Sequence, residues 1–191
     1  MNRLLWITPV LLLCFATSPA QTATETPVSK DPISSERMGI YRDFLAKYNN
    51  GSKATLNVSQ TTVSFSPDDM DRTGCLKAFR TEDLRATAPH TLPGDAFPNI
   101  AAKLVDPFVH KIHDPEDGMR RGQNVDNAVE AGFAAGLFTF SEIVFDASHT
   151  HAAFSYSFHC GMLCGHGAVT IYESRGGKWQ ASKVSCAHWI S

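Results

Sequence analysis

The sequence predicts an α+β domain: N-terminal and central helices packed on one face of an antiparallel sheet that ends in a four-strand C-terminal meander. Two observations carry the prediction. Helical periodicity with capping residues is concentrated after Ser34 and after Asn124, whereas short strand-like runs between turn residues fill the chain from Leu137 onward. Helices early and strands late place the helices against one side of a sheet. There is no internal repeat and no low-complexity tract, so residues 34–191 read as a single domain.

The N-terminus is read separately. Met1-Asn2-Arg3 gives a short basic start, Leu4–Phe15 an apolar run, and Ser18 and Ala20 the small residues a signal peptidase requires. The run is shorter than the roughly 20 apolar residues a membrane span needs. Leu13 stands before Cys14 where a lipoprotein signal needs a small residue, so residues 1–20 read as a signal peptide cleaved near Ala20. The expected location is periplasmic or secreted. Residues 21–33, polar and broken by Pro27 and Pro32, read as a flexible leader.

Of the 17 Lys and Arg only Arg3 falls in the signal, so 16 face 19 Asp and Glu, a net charge near −3. That balance excludes nucleic-acid binding through a basic face. Nothing after residue 20 resembles a membrane span. Partners are therefore sought among envelope or extracellular proteins and ligands.

Ser34 or Ser35 caps a first helix reaching about Tyr48, with Met38, Tyr41, Phe44 or Leu45, and Tyr48 at helical spacing before Asn49-Asn50-Gly51 stops it. Thr55–Phe65 reads as a strand, and within it Asn57-Val58-Ser59 forms a glycosylation sequon. Asp69, Asp71, Thr73 and Gly74 imitate a calcium loop, but Arg80 stands where its bidentate Glu is needed, which leaves an Asp-rich turn. Short helices are expected near Leu76–Arg80 and Ile100–Val105, with His110 and His113 exposed before Asp114-Pro115-Glu116-Asp117-Gly118. A capped helix runs from about Asn124 to Gly136, and its Ala128 and Gly132 suit close packing against a sheet.

Leu137–Asp146, His151–Phe158, Gly167–Glu173 and Lys178–Ile190 are the four expected strands of the meander, with Trp179 and Trp189 expected to be buried on the last. This third also carries F-S-x-I-x-F (Phe140–Phe145), C-G-x-x-C-G-x-G (Cys160–Gly167), G-K-W (Gly177–Trp179) and a terminal W-I-S. The pattern is similar to uncharacterised secreted bacterial proteins. The resemblance implies export and a single fold, with no activity attached to it.

The chemically distinctive stretch is Phe158–Gly167, F-H-C-G-M-L-C-G-H-G. Four cysteines, Cys75, Cys160, Cys164 and Cys186, remain after the signal, and an even count in an exported chain reads as two disulfides. Placing Phe154, Tyr156 and Phe158 in one core with Val169 and Ile171 requires a register such as Phe158 opposite Gly167, which sends Cys160 and Cys164 to opposite faces. A register that sets Cys160 opposite Cys164 makes a local disulfide easy. The two arguments conflict. Cys160–Cys164 with Cys75–Cys186 and the crossed pairings both remain open, and a glycine bulge would reconcile the first with the core.

The leading reading is an exported, disulfide-stabilised domain that binds a partner or serves structurally, with no catalytic residue assigned and no cofactor. Gly161, Gly165 and Gly167 would offer backbone N–H groups to an anionic ligand. The alternative is a metal- or thiol-dependent enzyme centred on the loop. His159, Cys160, Cys164 and His166 carry zinc-compatible atoms, with His149, His151 and His188 as further imidazoles. His149-Thr-His151 begins an H-x-H-x-D-H metallohydrolase pattern, but Ala153 and Phe154 replace its Asp and His. Cys164 with His166 or His159 would be the thiol pair.

Overall fold

A computed structural model of the chain describes residues 28–50, 54–67, 74–85 and 87–191, with the backbone alone at 184, 185 and 187. The expected signal peptide, the expected leader as far as residue 27, and Asp69, Asp71 and Thr73 of the calcium-like turn lie outside the described residues. The leader's last residues are docked: Ser29 bridges His90, and Ile33 packs on the main core.

Helix α1 spans Ser35–Tyr48, with the Ser34 side chain accepting from the Arg37 N–H at 3.3 Å. Strand β1 is only Leu56–Ser59, shorter than the run to Phe65, because the Ser59 hydroxyl donates to the Thr61 carbonyl (2.6 Å) and turns the chain. Asn57 of the sequon is buried, and its amide donates to the carbonyls of Ala134 (3.0 Å) and Gly136 (2.9 Å). A buried asparagine spent in this way is no glycan acceptor.

The helix expected at Ile100–Val105 is instead strand β2, Ala102–Val105, lying parallel to β1 with Leu56 opposite Ala102 and Val58 opposite Leu104. Hydrogen bonds from Leu56 N to Ala101 O (2.9 Å) and from Gln60 N to Val105 O (2.8 Å) pin the pair, so a tertiary partner overrides local helical preference. A single 3₁₀ turn covers Cys75–Ala78.

Two helices follow. Helix α2, Pro115–Arg120, is capped by Asp114 with Pro115 at its first turn, and α3 is Val125–Ala135, capped by Asn124. Ala128 and Gly132 of α3 receive α2 rather than the sheet. A Cβ on Gly132 would sit 2.6 Å from a Pro115 carbon, and one on Gly118 would sit 3.1 Å from the Ala128 Cβ. His110 is half-buried, with Nε2 2.8 Å from the Ala135 carbonyl at the end of α3.

The remaining strands are β3 (Leu137–Phe140), β4 (Val144–Phe145), β5 (His151–Gly161), β6 (Cys164–Arg175) and β7 (Lys178–Ile190). The sheet order is β2-β1-β3-β5-β6-β7, with β4 also against β5. Strands β3 and β4 run antiparallel to β5, as do β5 to β6 and β6 to β7. The sheet is mixed rather than antiparallel, because β1 lies parallel to both β2 and β3. The run Leu137–Asp146 is broken between Phe140 and Val144, where the Ser141 hydroxyl accepts from Ser155 N (2.8 Å) and Glu142 N donates to Val63 O (2.7 Å).

Both faces of the sheet are packed. On one, Met38, Tyr41 and Leu45 of α1 meet Phe138, Phe140 and Phe154. Tyr41 stacks on Phe140 at 4.6 Å and meets Phe154 edge-on at 5.4 Å, while its buried hydroxyl donates to the Ser141 carbonyl at 2.6 Å. Each such aromatic side chain stabilises the fold by about 1.5–3 kcal/mol through the area it removes from water. On the other face, Phe65, Leu76 and Phe79 meet Ala153, Val169 and Ile171. The premise that Phe154 and Ile171 share a core is therefore corrected: they belong to separate cores on opposite sides. The tryptophans are corrected too. Trp179 is half-buried and Trp189 is 40% exposed, because β7 is the sheet's last strand and its far edge meets water.

A candidate binding groove at the stapled hairpin

The β5–β6 register sets Phe158 opposite His166 and His159 opposite Gly165, then shifts by one so that Gly161 faces Cys164. The Phe158–His166 register is the disulfide-compatible one, and Cys160 is the extra residue of a bulge at its end. Gly161 takes φ +147°, a region that disfavours side chains, and a Cβ there would press on the Asp114 carboxyl at 2.9 Å. The structure joins Cys160 to Cys164, with Cα atoms 5.0 Å apart, and Cys75 to Cys186, with Cα atoms 5.5 Å apart.

The hairpin tip is latched from outside the sheet. Asp114 accepts from Glu116 N with Oδ1 (2.9 Å), capping α2, and from Met162 N with Oδ2 (2.8 Å), holding the tip against that helix. The Met162 and Glu116 N–H groups hold the Asp114 carboxyl below the usual carboxylate range, so it is charged at neutral pH. Met162 and Leu163, at the fixed tip, are 80% and 78% exposed. Two apolar side chains held in water by a disulfide and a charged latch are an unusual use of a turn.

A cavity of about 450 Å³ opens beside the tip, lined by the Cys160–Cys164 pair, Leu163, Met119, Phe133 and Ile190. A second, of about 400 Å³, lies on the other side of Phe133 and is lined by Tyr48, Leu56, Glu130 and Phe158. The Phe133 ring stacks on Phe158 at 5.7 Å and forms the wall between them. Both volumes lie in the range of ligand sites.

His166 lines the first cavity, and its Nε2 is 2.6 Å from the Tyr48 hydroxyl. Burial, helped by His159, lowers the His166 pKa, and burial, helped by Tyr156, pushes the Tyr48 phenol up to about 12. A neutral ring and a protonated phenol suit a Tyr48 O–H donating to Nε2. His159 lies on the opposite face, its ring 5.1 Å from that of Trp189. With the two sulfurs joined and the two imidazoles on opposite faces, His159, Cys160, Cys164 and His166 do not converge as a tetrahedral zinc set. No group of three or more His, Cys, Asp or Glu able to hold a metal occurs among the described residues. Gly165 and Gly167 lie within β6 between β5 and β7, where the backbone serves the ladder rather than an anion nest.

The other histidines are distant. His149 and His151 stand at the far end of β5, roughly 30 Å from the tip at strand rise. There His149 contacts Glu36 (3.1 Å) and stacks on Phe145 (4.4 Å). His188 Nδ1 lies 3.3 Å from the Cys186 carbonyl. Asp146 organises the turn before β5. Desolvation raises its pKa, but hydrogen bonds from Ser148, the His151 and Thr150 N–H groups and the Thr150 hydroxyl outweigh this and hold it well below the carboxylate range.

Sequence reading missed two features. The cap on α2 was signalled by Asp114-Pro115, an N-cap residue followed by proline at the first helical position. Glu142 is fully buried: Thr62 donates to it, the His90 N–H donates at 3.1 Å, and Arg37 lies 3.6 Å from its second oxygen. The His90 ring nitrogen Nδ1 is also 3.0 Å away but is not aligned as a hydrogen bond, so it counts as an ion pair only when protonated. A lone glutamate inside L-F-T-F-S-E-I-V-F was its only signal.

No protein-family model, curated protein or solved structure matches the chain. No helix among the described residues is long and apolar enough to cross a membrane.

Proposed function

We propose that this is an exported, disulfide-stabilised domain that acts by binding, through the groove beside the β5–β6 tip, and not by catalysis. The observation that carries the reading is the immobilised apolar tip: Met162 and Leu163 are exposed yet fixed by the Cys160–Cys164 staple and by Asp114, at the mouth of a mainly apolar cavity. A turn needed only for chain reversal gains nothing from exposed Met and Leu. Export is supported by the signal-like N-terminus and by the pairing of all four remaining cysteines. The thiol- or zinc-dependent alternative needs free sulfur at Cys160 or Cys164. Thiol titration of the native protein, with zinc measured on the same sample, separates the two. We expect neither thiol nor zinc; two or more reactive thiols with bound zinc would overturn the binding reading.

A further inference from the structure

Among the described residues, the Asp, Glu, Lys and Arg side chains that line the groove have one sign. Asp114 and Glu116 line the first cavity and Glu130 the second, whereas among the described residues no Lys or Arg lines either. Arg120, the nearby cation of α2, is paired with Asp117. His166 does not offset these carboxylates, because burial favours its neutral form. An acidic rim repels anionic lipid headgroups, which recruit proteins through basic residues, so a membrane surface is the wrong occupant.

The apolar surface is also divided. Two cavities flank the Phe133–Phe158 stack; Met119, Leu163 and Ile190 form the apolar rim of the first, and the exposed Met162 beside Leu163 extends it. Adjacent pockets inside a wider apolar rim fit an amphipathic segment that places successive side chains as anchors. Two methionines in the rim allow it to adapt to those anchors.

We propose that the groove binds a basic, amphipathic polypeptide segment of an exported partner, seating apolar side chains in the two cavities and setting Lys or Arg against Asp114, Glu116 and Glu130. This rests on the binding reading above and adds the chemistry of the partner. Opposite charges at a solvated rim speed encounter and make the affinity sensitive to salt.

The test uses the mature chain with both disulfides intact. Nile red reports occupancy of the groove, and two 14-residue amphipathic peptides compete for it, one of leucine and lysine, the other of leucine and glutamate. The Leu/Lys peptide should displace the dye at least about tenfold more effectively than the Leu/Glu peptide, a gap of about 1.4 kcal/mol. The gap should shrink in high salt and in E116Q/E130Q. Phe133→Asp and Leu163→Asp replace exposed side chains, and each should weaken dye binding about tenfold while circular dichroism is retained. If the dye binds and both substitutions weaken it, but the two peptides compete equally, the partner inference fails and the binding reading stands. If the dye does not bind, or neither substitution affects it, the binding reading itself fails. Association with phosphatidylglycerol vesicles that the Leu/Lys peptide cannot displace would overturn the inference in favour of a membrane.

Discussion

The two disulfides close loops of very different length. Cys75 and Cys186 are separated by 111 residues, and Cys160 and Cys164 by 4. Stabilisation through the unfolded chain grows with the logarithm of loop length, reaching about 5 kcal/mol for the first and about 2 kcal/mol for the second, in a model-dependent way. The long bridge ties the 3₁₀ turn at Cys75–Ala78 to β7 and closes the second core around Leu76 and Cys186. The short one staples a hairpin that neighbouring strands already pair on both sides. One crosslink holds the domain together, whereas the other fixes a surface. Equal chemistry thus serves global stability in one place and local shape in the other.

Removing each bridge tests that division. Replacing Cys75 and Cys186 with serine should lower the unfolding free energy by about 4–5 kcal/mol in urea titrations. A loss no larger than that of the short bridge would erase the contrast. The Cys160→Ser/Cys164→Ser pair should lose only about 2 kcal/mol, yet accelerate hydrogen exchange at the Met162 amide and weaken dye binding in the groove. Unchanged exchange there would mean that Asp114 alone fixes the tip. The smallest effect concerns the far end of β5, where Asp146 and its hydrogen bonds organise the turn without a crosslink. Its pKa is depressed in the fold, so its contribution is complete above the unfolded value near 3.9 and is lost as pH falls through the folded one. Stability measured from about pH 5 downward should therefore fall less steeply in Asp146→Ala than in the parent. Parallel curves would remove Asp146 from the acid response.

Much of this architecture is legible in local pattern. Ser34 and Asn124 announce their helices, because capping is settled within one turn. The strand-like runs after Leu137 are recognisable by alternation, although Ser141 and Glu142 break the first of them. What local pattern does not carry is pairing between distant segments. β2 reads as helix until β1 is placed beside it, and β1 lies between β2 and β3 although about 80 residues separate it from β3. The hairpin register was ambiguous for a related reason: both faces of β5 and β6 are apolar, so one core looked sufficient where the fold has two. At the groove, the cysteines and glycines marked the place. Its walls come from α2 and α3, which pack together where Gly132 meets Pro115 and Gly118 meets Ala128.

The position of β1 has a consequence for dissecting the molecule. Composition changes at Leu137, which invites division into a helical N-terminal piece and a C-terminal sheet. Yet one side of β3 is completed by Asn57 and Val58. A fragment beginning at Leu137 would therefore present a bare, aromatic-rich β3 edge, a template for strand addition by its neighbours. The N-terminal segment acts as that edge's cover, and the two parts are not separable pieces.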